Sequence, residues 1–322
     1  MKTHLSRRTF LRTAALGTAL GLAFPLVSAP DAQAQRPGPG DRPPHGPKRS
    51  TYQPKSEFSV VTVGTGIPLY SAERASACTM IQCGGRCVLV DMGNGTQARM
   101  AEMGVGLEMV DGLFLTHHHL DHNEEFPALL VNATFRGFNV QVAGPPMTQA
   151  LADFTLDFYQ EDMAYRSGLG GMNCTRQSNG YVRELGGGEG FVFGAMDVRT
   201  ARVEHTIHAI AFRFEMGGKS VTVSGDTCYS ENLVDLARGT DVLVMDSGPL
   251  RLGAPPQGAP RMRGAHPDME ELRGMAAGSG AKKLVLTHIG PMKIDEQGVR
   301  EYLARSYSGE VVFASDLLEV EV

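Results

Sequence analysis

The sequence predicts an α/β protein in which two β-sheets pack together with helices outside. Two observations carry that expectation. Apolar runs of strand length, closed by Gly-rich turns, recur in both halves of the chain. Between them lie segments whose apolar residues have helical spacing, and each layer must bury its apolar face on a neighbour.

Residues 58–66, "FSVVTVGTG", read as a buried strand entering a Gly-rich turn. Residues 78–96, "CTMIQCGGRCVLVDMGNGT", read as two strands around a Gly-Gly hairpin. Residues 110–122 are a short apolar strand running into a histidine cluster, and residues 140–145 another strand. Residues 147–165 have helical spacing, whereas 167–181 are irregular. Residues 196–227 read as three strands with a second Gly-Gly turn, and 230–237 as a capped helix. A strand (241–247), a Pro/Gly/Arg loop (248–265) and a helix that Pro267 could start (267–280) follow. The chain closes with a strand (282–291), a helix (295–307) and an expected hairpin (311–322).

The ends differ from this body. Residues 1–34 pair Arg7 and Arg8 ahead of Phe10 and Leu11, then run apolar from Ala14 to Val27 and reach Ala32-Gln33-Ala34. That apolar run is short of the roughly 20 residues a membrane span needs. The pattern is that of a twin-arginine export signal with a cleavage site, so a periplasmic or secreted protein without stable membrane association is expected. Residues 35–56 are dominated by Pro and Gly and read as a disordered tether. Residues 57–322 are then one domain with room for a large core.

The whole chain carries a formal net charge of −5. Residues 1–34 hold four basic groups and one acid, and residues 35–56 five and one, so the body carries −12. So acidic a body is expected to have no nucleic-acid partner. The five cysteines, at 78, 83, 87, 174 and 228, leave at least one thiol unpaired within the chain. Cys83 and Cys87 flank "GGR" and could face each other across the hairpin, but buried small residues are the favoured reading.

Chemistry concentrates where strands end. "GLFLT" leads into His117, His119, Asp121 and His122; "VRTARVE" into His205; "SVTVSG" into Asp226; "KLVLT" into His288. Strand edges are where α/β folds place sites, and imidazole with carboxylate suits zinc and its neighbours. His117 and His119 are two apart and point the same way in extended backbone, whereas His118 points away.

"THHHLDH" (116–122) matches the H-x-H-x-D-H pattern of the metallo-β-lactamase superfamily, with His205, Asp226 and His288 matching its later ligands in order. "VGTGIP", Arg74, "LVDMGNGT" and "LTHIGP" resemble the ribonuclease Z branch. "AFRFEMGGKSVTVSGDT" and "EDMAYR" resemble its exported, arylsulfatase-like members. The resemblance covers nearly all of residues 58–322 and implies the αββα metallo-β-lactamase sandwich, two mixed sheets with helices outside. It implies two divalent metal ions, zinc first. One would be held by His117, His119 and His205, the other by Asp121, His122 and His288, with Asp226 shared. His208 rivals His205, but His205 stands seven residues before the Phe of "FRF", as in the family.

The chemistry expected of such a site is hydrolysis by a metal-activated hydroxide. Asp121, Asp226 and His266 are the candidate catalytic residues. His266, in "GAHPDMEEL", matches the ribonuclease Z histidine that contacts phosphate, although Pro267 and Asp268 depart from the family's small hydroxyl residues. Arg251, Arg261 and Arg263 on one loop are candidate contacts for an anionic substrate. Asp91 reads as a supporting carboxylate, Cys228 as structural, and Tyr159, Tyr165 and Arg166 of the 145–190 insert as pocket-shaping. The function expected is exported hydrolysis of a small anionic ester, an aryl sulfate or a phosphodiester. A lactonase and a non-catalytic metal- or solute-binding protein are the alternatives, and a homodimer stays open.

Overall fold

The computed structural model describes residues 52–170, 182–253 and 264–322. The expected signal, the tether up to residue 51, Cys174, Arg261 and Arg263 lie outside these described residues. The first sheet draws on β1 (Ser59–Gly64), β2 (Cys78–Cys83), β3 (Arg86–Val90), β4 (Gly112–Phe114), β5 (Gln141–Gly144) and β6 (Val182–Glu184). The second holds β7 (Gly190–Phe193), β8 (Met196–Val203), β9 (Ala209–Met216), β10 (Lys219–Val223), β11 (Val242–Asp246), β12 (Lys283–Thr287) and β13 (Glu310–Phe313). The last strand, β14 (Leu318–Glu321), returns to the first sheet, whose order is β14-β1-β2-β3-β4-β5-β6.

The two sheets share one plan. In the first, β14, β1, β2 and β3 pair antiparallel, and β3 through β6 pair parallel. In the second, β7 through β10 pair antiparallel and β10 through β13 parallel. The expected closing hairpin is therefore wrong. β13 pairs with β12 and β14 with β1, so the two strands serve different sheets. A turn between two apolar runs looks the same in sequence either way. The contacts that separate them are distant: Asp316, between the strands, accepts from Thr65 N, Ala75 N and Arg99 Nε.

Burial on both faces explains why the strands read as continuous apolar runs. In β1, Val60 faces the other sheet, while Val61 and Val63 face helices. Between the sheets, Phe114 packs against Phe212 and Phe214 with ring centroids 5.5 and 5.8 Å away. Aromatic pairs contribute about 0.5–1.5 kcal/mol each beyond area burial. Phe114 is also three residues ahead of His117, so the core that fixes β4 fixes the base of the site.

The helices are α1 (Thr96–Glu102), α2 (Leu120–Asn123), α3 (Phe126–Arg136), α4 (Thr148–Phe158), α5 (Gln160–Gly170), α6 (Glu231–Leu236), α7 (Met269–Ser279) and α8 (Glu296–Leu303). Leu129 of α3 and Ala152 of α4 join the cluster outside the first sheet. Leu233 of α6, Leu272 of α7 and Val299 of α8 join the cluster outside the second. The single helix expected over 147–165 is two, broken at Tyr159. Pro267 does not start α7; Asp268 caps it, accepting from Glu270 N and Glu271 N in a full capping box.

The hairpin of β2 and β3 pairs Cys83 with Arg86 and Cys87 with Gln82. One residue of offset turns the two cysteines to opposite faces, Cys83 inward between the sheets and Cys87 toward the helices. Both thiols are free and buried. No helix among the described residues is long and apolar enough to cross a membrane.

Candidate metal centre

Seven side chains meet at one rim of the sandwich. Each stands just past a strand end: His117, His119, Asp121 and His122 after β4, His205 after β8, Asp226 after β10 and His288 after β12. These are the strands around the points where antiparallel pairing gives way to parallel, where α/β sheets leave a crevice. His117, His119, His205 and Asp226 can each offer one ligand atom within 4.8 Å of the others, and so can Asp121, His122 and His288; a third such group, Asp226, Asp246, His266 and His288, overlaps them. Asp226 lies between the groups, with Oδ2 3.9 Å from His117 Nε2 and Oδ1 3.3 Å from His122 Nε2. Its Oδ2 is also 3.5 Å from His288 Nε2.

The local backbone is built for this approach. Gly225 precedes Asp226 at φ +62°, and a Cβ there would lie 2.6 Å from Thr116 Cβ. Only glycine lets the β10 turn lie so close to the β4 turn. His288 and Asp91 hold left-handed conformations, at φ 58° and 64°, that cost side-chain-bearing residues about 1–3 kcal/mol.

Three imidazoles of the centre are oriented from behind. Asp91 accepts His122 Nδ1–H at 2.8 Å and the Thr116 hydroxyl at 2.7 Å. Thr116 Oγ1 then accepts from His117 Nδ1, 3.0 Å away. Ala265 O accepts His205 Nδ1–H at 2.8 Å. These bonds place the remaining lone pair of all three rings on Nε2. His119 is reversed: its Nδ1 lies 3.1 Å from both His117 Nε2 and His205 Nε2, and its Nε2 meets Thr206 Oγ1.

A divalent cation fits this donor set. His117 Nε2 and His205 Nε2 each lie 3.1 Å from His119 Nδ1, so a proton or a cation must sit among them to offset lone-pair repulsion. His122 Nε2 is buried without a hydrogen-bond partner, although Asp226 Oδ1 and Asp121 Oδ2 lie 3.3 and 3.5 Å away. Burial pushes His117, His119 and His205 down, which keeps them neutral as ligands must be. Burial works the same way on His122, but the Asp226 and Asp91 carboxylates outweigh it and hold that ring well above its ordinary value. His288 is likewise raised, against burial, by Asp226 and by its hydrogen bond to Asp121. Burial would raise Asp226, yet His288 and His122 hold it well below the usual carboxylate range. The site is therefore poised to trade protons for positive ions.

His266 stands beside the cluster. Its Nδ1 donates to Asp246 Oδ2 at 2.8 Å, and its ring stacks on His288 with centroids 5.1 Å apart. Burial would lower His266, but Asp246 overrides it and the ring is raised. Asp246 escaped the sequence reading, although it ends the apolar strand β11 as the other site residues end theirs. Thr116 escaped because it looks like an ordinary strand-end hydroxyl.

Other candidates lie elsewhere. His118 points away from the cluster, to Thr148 Oγ1 and Asn123 Nδ2. His208 is held by Arg202 Nη1 and Gly186 O. Arg251 lies against Met292 Sδ at 3.8 Å. Tyr159 and Tyr165 are exposed, and Arg166 is paired with Asp162. Cys228 donates to Glu204 O, in keeping with a structural role.

Two seven-stranded sheets with a His/Asp cluster at their rim define the scaffold of a metal-dependent hydrolase. Residues 86–289 match the beta-lactamase superfamily domain family. The chain is 32% identical over 277 residues to the ribonuclease Z of Mycolicibacterium paratuberculosis, covering 82% of this chain and 98% of that protein. Human tRNase Z, short form, shares the fold with a TM-score of 0.62 at 21% identity, over 82% of this chain and 99% of that one. The metallo-beta-lactamase fold protein YhfI from Bacillus subtilis does so at 0.64 and 19%, over 82% and 98%. The chain belongs to the metallo-β-lactamase superfamily, in its ribonuclease Z branch.

That membership corrects the expectation of no nucleic-acid partner. Relatives matched along nearly their whole length are ribonuclease Z, which acts on RNA. The expectation failed because net charge sums the whole surface. Anion binding is decided within a screening length of about 10 Å, and a metal centre dominates its own surroundings.

Proposed function

We propose that this chain is an exported hydrolase of phosphodiesters that works with two divalent metal ions, zinc foremost, and that RNA is among the substrates to test. The observation that carries this reading is Asp226, set between two groups of donor atoms that each suit one ion. His117, His119 and His205 would hold one ion, Asp121, His122 and His288 the other, and Asp226 both. Bound there, the ions would lower the pKa of a water toward neutrality and neutralise charge on phosphoryl oxygens.

The chain's own residues do the rest. Asp91, Thr116 and Ala265 O fix three rings so that Nε2 faces the centre. Asp246 occupies His266 Nδ1, which leaves Nε2 to hold the proton that a departing alkoxide needs. Phosphodiester cleavage fits best because it uses both features, and the ribonuclease Z relatives support it. Aryl sulfate stays the second reading, on the resemblance to exported members.

The test is hydrolysis by metal-loaded protein of bis(4-nitrophenyl) phosphate, 4-nitrophenyl sulfate, a simple lactone and a short RNA, with Asp226→Asn as blank. Turnover of a phosphodiester that the blank lacks is expected. Turnover of the sulfate alone or the lactone alone contradicts the reading. Export is tested separately: the secreted protein should begin after Ala34, and replacing Arg7 and Arg8 by Lys should keep it inside.

A further inference from the structure

A cavity of about 490 Å³ is walled by the two loops that leave β1 and β12. One loop carries Ile67, Leu69 and Tyr70; the other starts directly after His288 and carries Ile289 and Met292. Its size falls in the range of small-ligand sites, roughly 300–1,000 Å³. Leu69, Tyr70 and Met292 are 64%, 70% and 56% exposed, an unusual concentration of large apolar surface on one cavity.

The cavity is tied to the centre at two points. Ile289 N donates to Thr65 O at 2.7 Å, which clamps the loop after His288 to the loop after β1. The Tyr70 hydroxyl donates to Glu124 at 3.0 Å, and Glu124 ends the short helix that bears Asp121 and His122. Charges of both signs line it, Arg74 and Lys293 with Glu73 and Glu296, and Arg251 packs on Met292. An anionic centre bearing a flat apolar group matches this layout, with the anion at the metal residues and the group between the loops.

We propose that this cavity is the subsite for the aromatic group of the ester, an aryl ring or a nucleobase, and that Ile67, Leu69 and Met292 select for it. The inference rests on the anionic-ester reading of the metal centre. Tyr70 is exposed, and bases stack on aromatic side chains whatever their sequence because every base has a π-face. The subsite accounts for three exposed apolar side chains that the metal chemistry does not use.

Gly290 offers a way to fill the cavity. A Cβ there meets only Ile67 Cδ1, at an ordinary 3.5 Å, so Gly290→Leu should be tolerated and should point its side chain at the cavity wall. Leu69→Asp makes the same test from the opposite, exposed wall. Calorimetric titration of the metal-loaded full chain with inorganic phosphate and with phenyl phosphate separates anion binding from ring binding, and it needs no turnover. The wild type should bind phenyl phosphate about ten-fold tighter than inorganic phosphate, a difference of roughly 1.4 kcal/mol. Gly290→Leu and Leu69→Asp should lose that advantage while keeping metal content and phosphate affinity. Equal binding of the two probes by the wild type, or a ring advantage that survives both substitutions, overturns the subsite. Phenyl phosphate selectivity in a protein that hydrolyses no phosphodiester would leave the subsite standing and sink the catalytic reading.

Discussion

The two sides of the metal centre are held in different ways. His117, Asp121, His122, Asp226 and His288 are buried, and Asp91 fixes His122 directly and His117 through Thr116. His119, His205 and His266 are half-buried and lean on loops: Thr206, the Ala265 carbonyl and the strand-end Asp246. The buried side is therefore suited to fixing ions, and on the open side His119 and His205 complete the donor set while His266 is left to meet substrate. Imidazole thus does two jobs in one site, and what stands behind each ring decides which.

The largest effect should come where the sides meet. Asp226→Asn removes a charge shared by both groups, so turnover should fall by at least about 10³-fold, with loss of bound metal. Metal analysis and a phosphodiester assay check it together. On the open side, His266→Ala should lower kcat by on the order of 10²–10³-fold with metal affinity unchanged. Equal loss of metal would erase the distinction between the sides.

The buried side should give the reverse pattern. Asp91→Asn leaves the shape but weakens the hold on His122 and Thr116, so metal affinity should drop about 10–100-fold while turnover at saturating metal stays within a few-fold. Competition with a chelator measures the first and saturation kinetics the second. The smallest effect is chemical. Burial pushes the Cys83 thiol up to about 11 and Cys87 up to about 12, and Cys78 well above its ordinary value. Labelling requires thiolate, so at pH 8 these three should stay unlabelled, while half-exposed Cys228, although burial raises it too, reacts ahead of them. Site-by-site mass spectrometry after alkylation reads the order.

The candidate site was legible because each of its residues follows an apolar run, and a two-residue spacing decides which histidines share a face. His118, between two of them, faces the other way on that spacing and meets Thr148. The supports were harder to see. Asp246 looks like the polar end of any strand, and its value comes from His266, twenty residues on and just ahead of α7. Much of the fold was legible for the same local reason, with its strands buried on both faces. The misses were non-local or unmarked. The last two strands part to different sheets through Asp316, whose partners lie 217 to 251 residues away. β6 and β7 are short and half-exposed, and α1 begins at a left-handed glycine with no side-chain cap to announce it. The acidic body misled on partners because whole-chain charge says little about the field at one rim.

Two ions in one centre is the claim on which the rest depends. The most direct test is to count divalent metal per chain by mass spectrometry in protein of full specific activity, and again as metal is withdrawn. Two ions per chain, with turnover falling as either leaves, is the result expected. One ion per chain in fully active protein would contradict the account.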